Sequence, residues 1–505
     1  MPGASRWPFH RKVSEILLLA VVALGAMAVL GYHLGSDDAE IYVPAIKRVA
    51  DPALFPFGSE FFMYHARLSL FSELAGGSAS LLRLPVDWAI FLWHAASVFL
   101  LLLAARQLLR ACFQSQRAQW AGVGLLAALL TVPVAGTALA IMDPYVTARS
   151  LSTPFTLFAV AAFAANHLKR GLFWLLLTAL IHPQMAVYGA AFLGCLALVK
   201  PAPLPAGAVA AAAMIPGSFE FEPARGVYRE VLFTRSYFFV SRWEWYEWVG
   251  VAAPLLVLWW LSRAAPPGTL PPFRRLSRAL VLFGAIFTAA ACLLVTSERF
   301  ENFARLQPMR SFHLLYVVFF LLLGGLAGDY LLKNKTWRWC CFFLPLAAGM
   351  WTVQAQAYPF SAHIEWPGAG YRGPWVSAFV WIRGHTPKDA IFALDPNYMA
   401  IPEDDQHGFR AVAERSVLAD NRKDSGAVSL FPQLADEWKE QVTAQEGWRD
   451  FKLADYRRLA GRYGVGWLVL ERGQQTEGLV CPYRNGAVSV CRVEAETRRP
   501  TFEHF

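Results

Sequence analysis

The chain has 505 residues, of which 56% are hydrophobic and only 16% are charged, and it contains 19 tryptophans. This composition is too apolar for an ordinary soluble enzyme and predicts a protein of the lipid bilayer. The formal net charge of +9 could indicate a nucleic-acid partner, but Lys and Arg are scattered between apolar runs and form no long basic block. Membrane topology explains these charges better, so we expect no nucleic acid among the partners.

Long apolar runs occupy residues 1–353. The first, residues 16–34, follows Arg6, Arg11 and Lys12 and is about 19 residues long. A signal-peptide core has roughly 7 to 15 apolar residues, so the length favours a retained membrane span. The further runs are 86–109, 119–140, 151–167, 172–199, 205–217, 248–262, 277–296, 311–332 and 337–353.

The run at 172–199 is interrupted by His182 and Pro183. Proline lacks the helical N–H donor and disfavours helical geometry in the residue before it, so the run is predicted to form two short arms or a re-entrant hairpin that turns at His182. With this turn the basic clusters lie in cytoplasmic loops, as the positive-inside rule requires. The N-terminus is then cytoplasmic, and the expected external segments are 35–85, 141–150, the His182 turn, 218–247, 297–310 and the C-terminal part.

The expected fold is a polytopic α-helical membrane protein with about eleven helical segments in residues 1–353, followed by an extramembrane soluble α/β domain in residues 354–505. In the second domain "AIFALDP", "RSVLAD" and "VGWLVLE" are typical of strands, and "GPWVSAFVWIRGHTP", "PQLADEWKEQVTAQ" and "DFKLADYRRLAGRYG" are typical of helices. Asn485-Gly486 predicts a hairpin, because both residues tolerate the positive φ of a tight turn. The hairpin would bring Cys481 and Cys491 together, and an oxidising compartment would let them form a disulfide.

Paired carboxylates stand where the first apolar run ends, in "YHLGSDDAEIYVPA". Asp37 and Asp38 are adjacent there, and Glu40 follows closely. They could be an ordinary solvated loop, but Asp143 and Arg149 come at a second expected external segment, and the first external segment, 35–85, is unusually long and amphipathic. Acids that converge in this way can bind a divalent cation, share a proton or deprotonate a hydroxyl.

This pattern resembles the membrane glycosyltransferases of the GT-C superfamily. The resemblance rests on Asp37-Asp38, on Asp143, on "ARSLSTPFTLF" followed by "LIHPQM", and on the soluble C-terminal part. It implies sugar transfer from a polyprenyl-phosphate-linked donor, with inversion, to an unknown acceptor on the external face of a bacterial inner membrane. It further implies that Asp37 or Asp38 is the base or a metal ligand, with Asp143 as partner, and that Asp38 could hold Mg or Mn.

A lipid-phosphate donor needs cationic or dipolar groups near the membrane surface. The candidate substrate-binding residues are Glu40, Arg149, His182, Arg299, Arg305 and Arg310. Each cation could instead be an interfacial anchor, and the His182 turn could simply cap two half-helices. The sequence "PEDDQHG", residues 402–408, is interpreted as a solvated loop, and "SRWEWYEWVG" as an aromatic belt at the membrane surface.

Other function classes lack support. The sequence contains no Gly-rich phosphate loop, no G-x-S-x-G motif and no H-E-x-x-H motif, and its seven cysteines have no metal-ligand spacing. A transporter should carry charges within its spans, whereas here nearly all charges lie at their ends. The main alternative to an enzyme is a non-catalytic GT-C-like protein that binds a lipid-linked saccharide or acts as a scaffold in a membrane complex.

Overall fold

A computed structural model describes residues 8–199, 222–369 and 371–494. The apolar run at 205–217 lies outside the described residues. Helices fill most of the described chain. In chain order they are α1 (Pro8–Leu30), α2 (Ala39–Ala50), α3 (Glu60–Ala66), α4 (Phe71–Leu82), α5 (Val86–Cys112), α6 (Gln116–Ala128), α7 (Ala148–Ala164), α8 (Leu168–Ile181), α9 (Pro183–Leu198), α10 (Gly226–Thr234), α11 (Trp245–Ala264), α12 (Pro271–Leu294), α13 (Phe312–Leu326), α14 (Thr336–Ala357), α15 (Pro374–His385), α16 (Phe409–Ala413), α17 (Asp424–Leu430), α18 (Ala435–Ala444) and α19 (Leu453–Tyr463).

Among the described residues, four helical stretches are long and apolar enough to cross a membrane: Val13–Leu30, Val86–Cys112, Pro271–Leu294 and Glu298–Leu332. The last combines two 3₁₀ segments, Glu298–Leu306 and Pro308–Ser311, with α13 and a π-helical segment at Ala327–Leu332. These stretches support a membrane-associated protein.

One predicted span is shorter than expected. The apolar run at 119–140 forms helix only as far as Ala128, where α6 ends. Beyond it the chain folds back on itself, with the Val134 amide bonded to the Leu139 carbonyl and the Ile141 amide bonded to Val132. Hydrophobicity alone does not distinguish a helix from buried irregular chain whose backbone groups find partners.

The predicted break at Pro183 is confirmed. Helix α8 ends at Ile181, α9 begins at Pro183, and His182 between them is extended, with φ −154° and ψ 92°. Pro183 occupies the first turn of α9, where its missing N–H costs nothing. Both short helices pack against α7.

The helical core is built by α1, α5, α6, α7, α9, α12 and α13. Helices α6 and α13 approach closely at Gly122 and Gly324. A Cβ on Gly324 would lie 2.7 Å from the Gly122 Cα atom, so neither position tolerates a side chain without displacement. Small residues of this kind allow close helix packing in membrane proteins.

The C-terminal part contains a five-stranded sheet in the order β2-β1-β3-β5-β4. Its strands are β1 (Ile391–Ala393), β2 (Ser416–Val417), β3 (Trp467–Glu471), β4 (Val480–Arg484) and β5 (Val488–Arg492). Strand β1 pairs in parallel with β2 and β3, and β5 pairs antiparallel with β3 and β4. The three predicted strands and three predicted helices are all present, as β1, β2, β3, α15, α18 and α19.

The two faces of the sheet belong to different hydrophobic clusters, as the alternation of side chains along a strand requires. Phe392 and Val469 pack with α15, whereas Ala393, Leu468 and Leu470 pack with α19 and its neighbours. Both faces are therefore covered, which is typical of an α/β arrangement.

The predicted hairpin is present between β4 and β5, but its turn is stabilised differently from the expectation. Neither Asn485 nor Gly486 adopts a positive φ. Instead the Asn485 side-chain oxygen accepts hydrogen bonds from the Ala487 and Val488 amides, at 2.9 Å each. Cys481 and Cys491 are joined by a disulfide across the hairpin, as predicted.

Candidate active site

The acidic stretch that follows α1 is held by backbone contacts with the C-terminal part. The Leu34 amide donates to Glu365 Oε2 at 2.8 Å, and the Asp37 amide donates to the Gln406 carbonyl at 2.8 Å. Asp37 has φ 52°, a left-handed conformation that is costly for a residue other than glycine. Such strained positions occur preferentially at functional sites, where surrounding contacts maintain them.

Lys423, just before α17, lies between the two carboxylates. Its Nζ contacts Asp37 Oδ1 and lies 2.8 Å from Asp38 Oδ1. Burial raises the pKa of Asp38, but the Lys423 ammonium, with smaller contributions from Arg149 and Arg310, outweighs it and holds the pKa well below its usual range. The paired negative charge is thus balanced by a cation from the C-terminal part, and Asp38 stays ionised at physiological pH.

The two carboxylates differ in whether an oxygen atom remains free to bind a further group. Asp37 uses both oxygens, because Oδ1 contacts Lys423 and Oδ2 accepts from the Tyr145 hydroxyl at 3.0 Å. Asp38 uses Oδ1 only, and its Oδ2 has no hydrogen-bond partner within the described chain. Its side chain is 34% exposed. Asp38 is therefore the carboxylate that can meet an incoming group.

Asp143 joins the same polar region. Its Oδ2 lies 2.5 Å from the Arg149 guanidinium and 3.3 Å from the Thr147 hydroxyl, both at the start of α7. Burial raises the pKa of Asp143, Arg149 opposes the rise, and the negative charges of Asp38 and Asp37 add to it. The three predicted catalytic carboxylates are thus close enough to influence one another.

Further groups from distant parts of the chain reach this region. The charge of Arg310, in the 3₁₀ segment Pro308–Ser311, acts on Asp38 and on His65 of α3. Burial lowers the pKa of His65 to about 4, so its imidazole is neutral at physiological pH. His182, at the turn between α8 and α9, lies within electrostatic reach of Arg149 and Arg310. The structure thus brings together three of the six predicted substrate-binding residues, namely Arg149, His182 and Arg310.

The other three are placed differently. Arg299 is exposed, and the charge of Arg305 acts on Tyr228 of α10. Within the described residues, neither guanidinium forms an ion pair with the three carboxylates. Sequence spacing placed both in the same external segment as Arg310, but it could not indicate which way each side chain faces in a 3₁₀ segment.

Glu40 is a structural residue instead of a ligand at an open surface. Only 1% exposed, it accepts hydrogen bonds from the Arg410 and Ala411 amides at 2.9 and 2.8 Å, at the start of α16. Burial raises its pKa to about 8, and Arg410 and the two amides oppose that rise. The Arg410 guanidinium also pairs with Asp424 through two hydrogen bonds of 3.0 and 2.9 Å. Glu40 thus links α2 to the C-terminal part.

The interpretation of residues 402–408 as a solvated loop is wrong. Asp404 and His407 are fully buried, and Asp405 is 4% exposed. His407 Nε2 lies 2.8 Å from Glu365 Oε1, and Asp405 Oδ2 accepts from the Phe360 amide and the Ser361 hydroxyl. The polar composition reflects a buried hydrogen-bonded network, which composition alone does not distinguish from a solvated loop.

The divalent-cation hypothesis stays a prediction. Within the described residues no three or more His, Cys, Asp or Glu side chains are grouped as metal ligands. Asp37 and Asp38 share the Lys423 ammonium, and Asp143 pairs with Arg149, so the arrangement is one of ion pairs. No step proposed below passes through a metal.

Sequence reasoning missed three groups at this site: His65, Tyr145 and Lys423. Tyr145 had a local signal, since it lies two residues after Asp143 in "IMDPYVTARS". For Lys423 the only sequence signal was its position in the polar loop that follows β2.

No protein-family model and no curated protein matches this chain.

Proposed function

We propose that the chain is a GT-C-like membrane glycosyltransferase that transfers a sugar from a polyprenyl-phosphate-linked donor to an acceptor hydroxyl on the external face of a bacterial inner membrane. One observation carries the proposal: Asp37, Asp38 and Asp143, which lie up to about a hundred residues apart, are within electrostatic reach of one another and of Arg149, and Arg310 acts on Asp38. Tyr145, two residues after Asp143, donates a hydrogen bond to Asp37. Such a combination of carboxylates and guanidiniums is suited to proton abstraction beside an anionic leaving group.

Asp38 is the proposed general base. Its Oδ2 takes the proton of the acceptor hydroxyl, whose oxygen attacks the anomeric carbon from the face opposite the phosphate. The bond from the anomeric carbon to the phosphate oxygen breaks, polyprenyl phosphate leaves, and the configuration inverts. The low pKa of Asp38 keeps it ionised but makes it a weak base, so its main contribution is to orient the hydroxyl and stabilise the developing positive charge.

Arg310 is the proposed partner of the leaving phosphate. Arg149 is already engaged by Asp143, whereas no carboxylate in the described chain pairs with Arg310 within ion-pair distance. A guanidinium presents several N–H donors in a geometry that matches phosphate oxygens. Asp143 and Arg149 then form a fixed pair that shapes the electrostatics beside the reacting groups.

The candidate spans and the exposed aromatic groups support a site at the membrane surface. The stretch Glu298–Leu332, which carries Arg310, and Val13–Leu30, which precedes Asp37, are both candidate spans. Trp245 is 74% exposed at the start of α11, as expected for an aromatic belt. A lipid-linked donor could then approach Arg310 from the bilayer. The proposed arrangement is polytopic, with about eleven helical segments.

The experiment that tests the proposal is a transfer assay with purified protein in nanodiscs. A set of radiolabelled polyprenyl-phosphate sugars is offered together with a lipid extract from an expressing bacterium as the source of acceptor. Label should move from the donor to a new product in the presence of the wild-type chain and not of Asp38→Asn. Absence of any transfer with every donor, from protein that is folded, would contradict the proposal.

A second candidate, a non-catalytic scaffold, is favoured by the Lys423 contact. The acid pair could serve only to dock the C-terminal part onto the membrane helices. Limited proteolysis separates the two functions. If docking is the only role, Asp38→Asn and Lys423→Met should expose the C-terminal part to protease equally. If Asp38 is the base, Asp38→Asn should remain protease-resistant and lose only transfer.

A further inference from the structure

Four side chains in or next to the 3₁₀ segment Pro308–Ser311 carry buried polar atoms that no group in the described chain satisfies. They are Gln307 Oε1, Arg310 Nε, Ser311 Oγ and His313 Nδ1. Gln307 is 5% exposed and His313 is fully buried. Buried polar atoms nearly always have a hydrogen-bond partner, so an unpartnered set at one place calls for a ligand or water.

Three of these residues come at intervals of three in the sequence. Gln307 immediately precedes the 3₁₀ segment, Arg310 lies within it, and His313 is in the first turn of α13. Gln307 has φ 51°, a second left-handed residue other than glycine near this site. Met309, between them in sequence, packs into the helical core.

This cluster of four polar side chains borders the proposed active site. His313 Nε2 lies 3.0 Å from the Ile141 carbonyl, two residues before Asp143. The Gln307 carbonyl is held by the Tyr188 hydroxyl at 2.8 Å. Arg310, in the middle, is close enough for its charge to act on Asp38.

The unpartnered atoms have defined hydrogen-bonding roles. A carbonyl oxygen only accepts, so the contact with Ile141 places the proton of a neutral His313 ring on Nε2 and leaves a lone pair on Nδ1. Gln307 Oε1 is also an acceptor, whereas Arg310 Nε is a donor. The cluster therefore contains two acceptors and a cationic donor, together with the Ser311 hydroxyl, which can donate or accept.

A phosphate group matches the donor but cannot satisfy the acceptors, because an ionised phosphate diester carries no hydrogen to donate. A sugar hydroxyl can do so, and a glycosyl phosphate offers hydroxyls next to anionic oxygens. We infer that Gln307, Arg310 and His313 bind the sugar end of the lipid-linked donor, with Gln307 and His313 accepting from its hydroxyls and Arg310 donating to an adjoining oxygen. This inference rests on the proposed function and adds the residues that recognise the sugar.

The test compares binding of bare and glycosylated lipid phosphates to the purified full-length chain in detergent. The probes are farnesyl phosphate and the farnesyl-phosphate derivatives of glucose, mannose and galactose, with dissociation constants measured by native mass spectrometry. The wild-type chain should bind at least one glycosylated probe more tightly than farnesyl phosphate. Gln307→Met and His313→Phe should each reduce that preference about tenfold or more while leaving the affinity for farnesyl phosphate unchanged.

Arg305→Gln is the matched control, because Arg305 is in the preceding 3₁₀ segment, Glu298–Leu306, and its charge acts on Tyr228 of α10. It should leave both affinities unchanged. Two nearly isosteric variants are used so that a folding failure of one, recognised by its thermal unfolding, leaves the other to answer the question.

The possible outcomes distinguish this inference from the proposal on which it rests. A wild-type chain that binds bare and glycosylated probes equally, or variants that weaken both alike, would overturn the sugar-binding role and leave water as the partner of these atoms. A folded chain that binds none of the probes would instead remove the proposed function itself.

Discussion

At the residue scale, Asp38 and Asp37 differ in the contacts of their second carboxylate oxygen. Asp38 Oδ2 is unoccupied, whereas Asp37 Oδ2 is bound to Tyr145. We expect Asp38→Asn to reduce the transfer rate by about 10²- to 10⁴-fold, because the amide can neither take the proton of the acceptor hydroxyl nor carry the negative charge that stabilises the developing positive charge. Asp37→Asn should cost less, because an amide oxygen can still accept from Tyr145. The measurement is the initial rate of sugar transfer in nanodiscs.

The control for this pair is Asp51→Asn, which removes an exposed carboxylate bound to Lys388 at the end of α2. It should retain wild-type transfer. If Asp37→Asn were the more damaging variant, Asp37 would have to be the base, and its contacts with Lys423 and Tyr145 would have to open during the reaction.

The residue scale also shows why the site was only partly predictable. Adjacent acids at the end of an apolar run are visible in one short segment, and so is Asp143 before Arg149. The cation that balances them is not visible, because Lys423 lies 386 positions after Asp37. Glu40 looked like a third member of the acidic group, yet its side chain turns to the amides of α16.

At the level of secondary-structure elements, the close contact between α2 and α16 requires a glycine at position 408. A Cβ at this position would lie 2.0 Å from Glu40 Oε2, although Gly408 itself has an ordinary φ of −76°. Gly408→Ala must therefore displace Glu40 from the Arg410 and Ala411 amides and leave buried groups unsatisfied. We expect the variant to lose about 1–3 kcal/mol of stability, seen as a lower thermal unfolding midpoint and earlier proteolysis of the C-terminal part.

Gly461→Ala provides the comparison for this prediction. Gly461 lies inside α19, where a Cβ would meet nothing within 4 Å. Alanine favours a helix over glycine by about 1 kcal/mol, so this variant should be neutral or slightly stabilising. Equal destabilisation by both substitutions would mean that Gly408 is not required for the approach of Glu40.

At the scale of the whole molecule, a buried ion pair secures the contact between the segment after α1 and the C-terminal part. Burial lowers the pKa of His407, but Glu365 outweighs it and raises the pKa to about 9. Burial raises the pKa of Glu365, but His407, with a smaller contribution from His33, lowers it to about 2. Because the pKa of an unfolded histidine is about 6.5, the stabilisation is complete below that pH and is lost as the pH rises to about 9.

The corresponding variant is His407→Gln, which keeps hydrogen-bonding capacity but cannot be charged. The difference in thermal unfolding midpoint between wild-type and variant should be largest near pH 6 and should shrink towards pH 9. On the acid side the Glu365 contribution should fade as the pH drops from about 4.5 towards 2. A difference that is constant from pH 6 to pH 9 would show that His407 is neutral in the folded protein.

The orientation of the molecule in the membrane is a separate prediction. Single cysteines at Arg299 and Glu477, both exposed, should react with an impermeant maleimide in intact cells. A cysteine at exposed Pro267 should react only after permeabilisation. The labelling background replaces the five cysteines outside the disulfide with serine. Protection of position 477 in intact cells would place the C-terminal part in the cytoplasm and contradict the proposed external site.

Hydrophobic periodicity and turn chemistry predict the local elements of the chain: the apolar helices, the interruption at Pro183, the strands of the C-terminal sheet and the hairpin that joins Cys481 to Cys491. These signals act over a few residues. The three-dimensional fold alone reveals that Lys423 meets Asp37 and Asp38, that Glu40 supports α16 and that residues 402–408 are buried. The physical reason is that a charged or polar residue contributes equally to the composition whether its side chain is solvated or paired in the interior. Its partner is determined by contacts between segments that can be hundreds of residues apart in sequence.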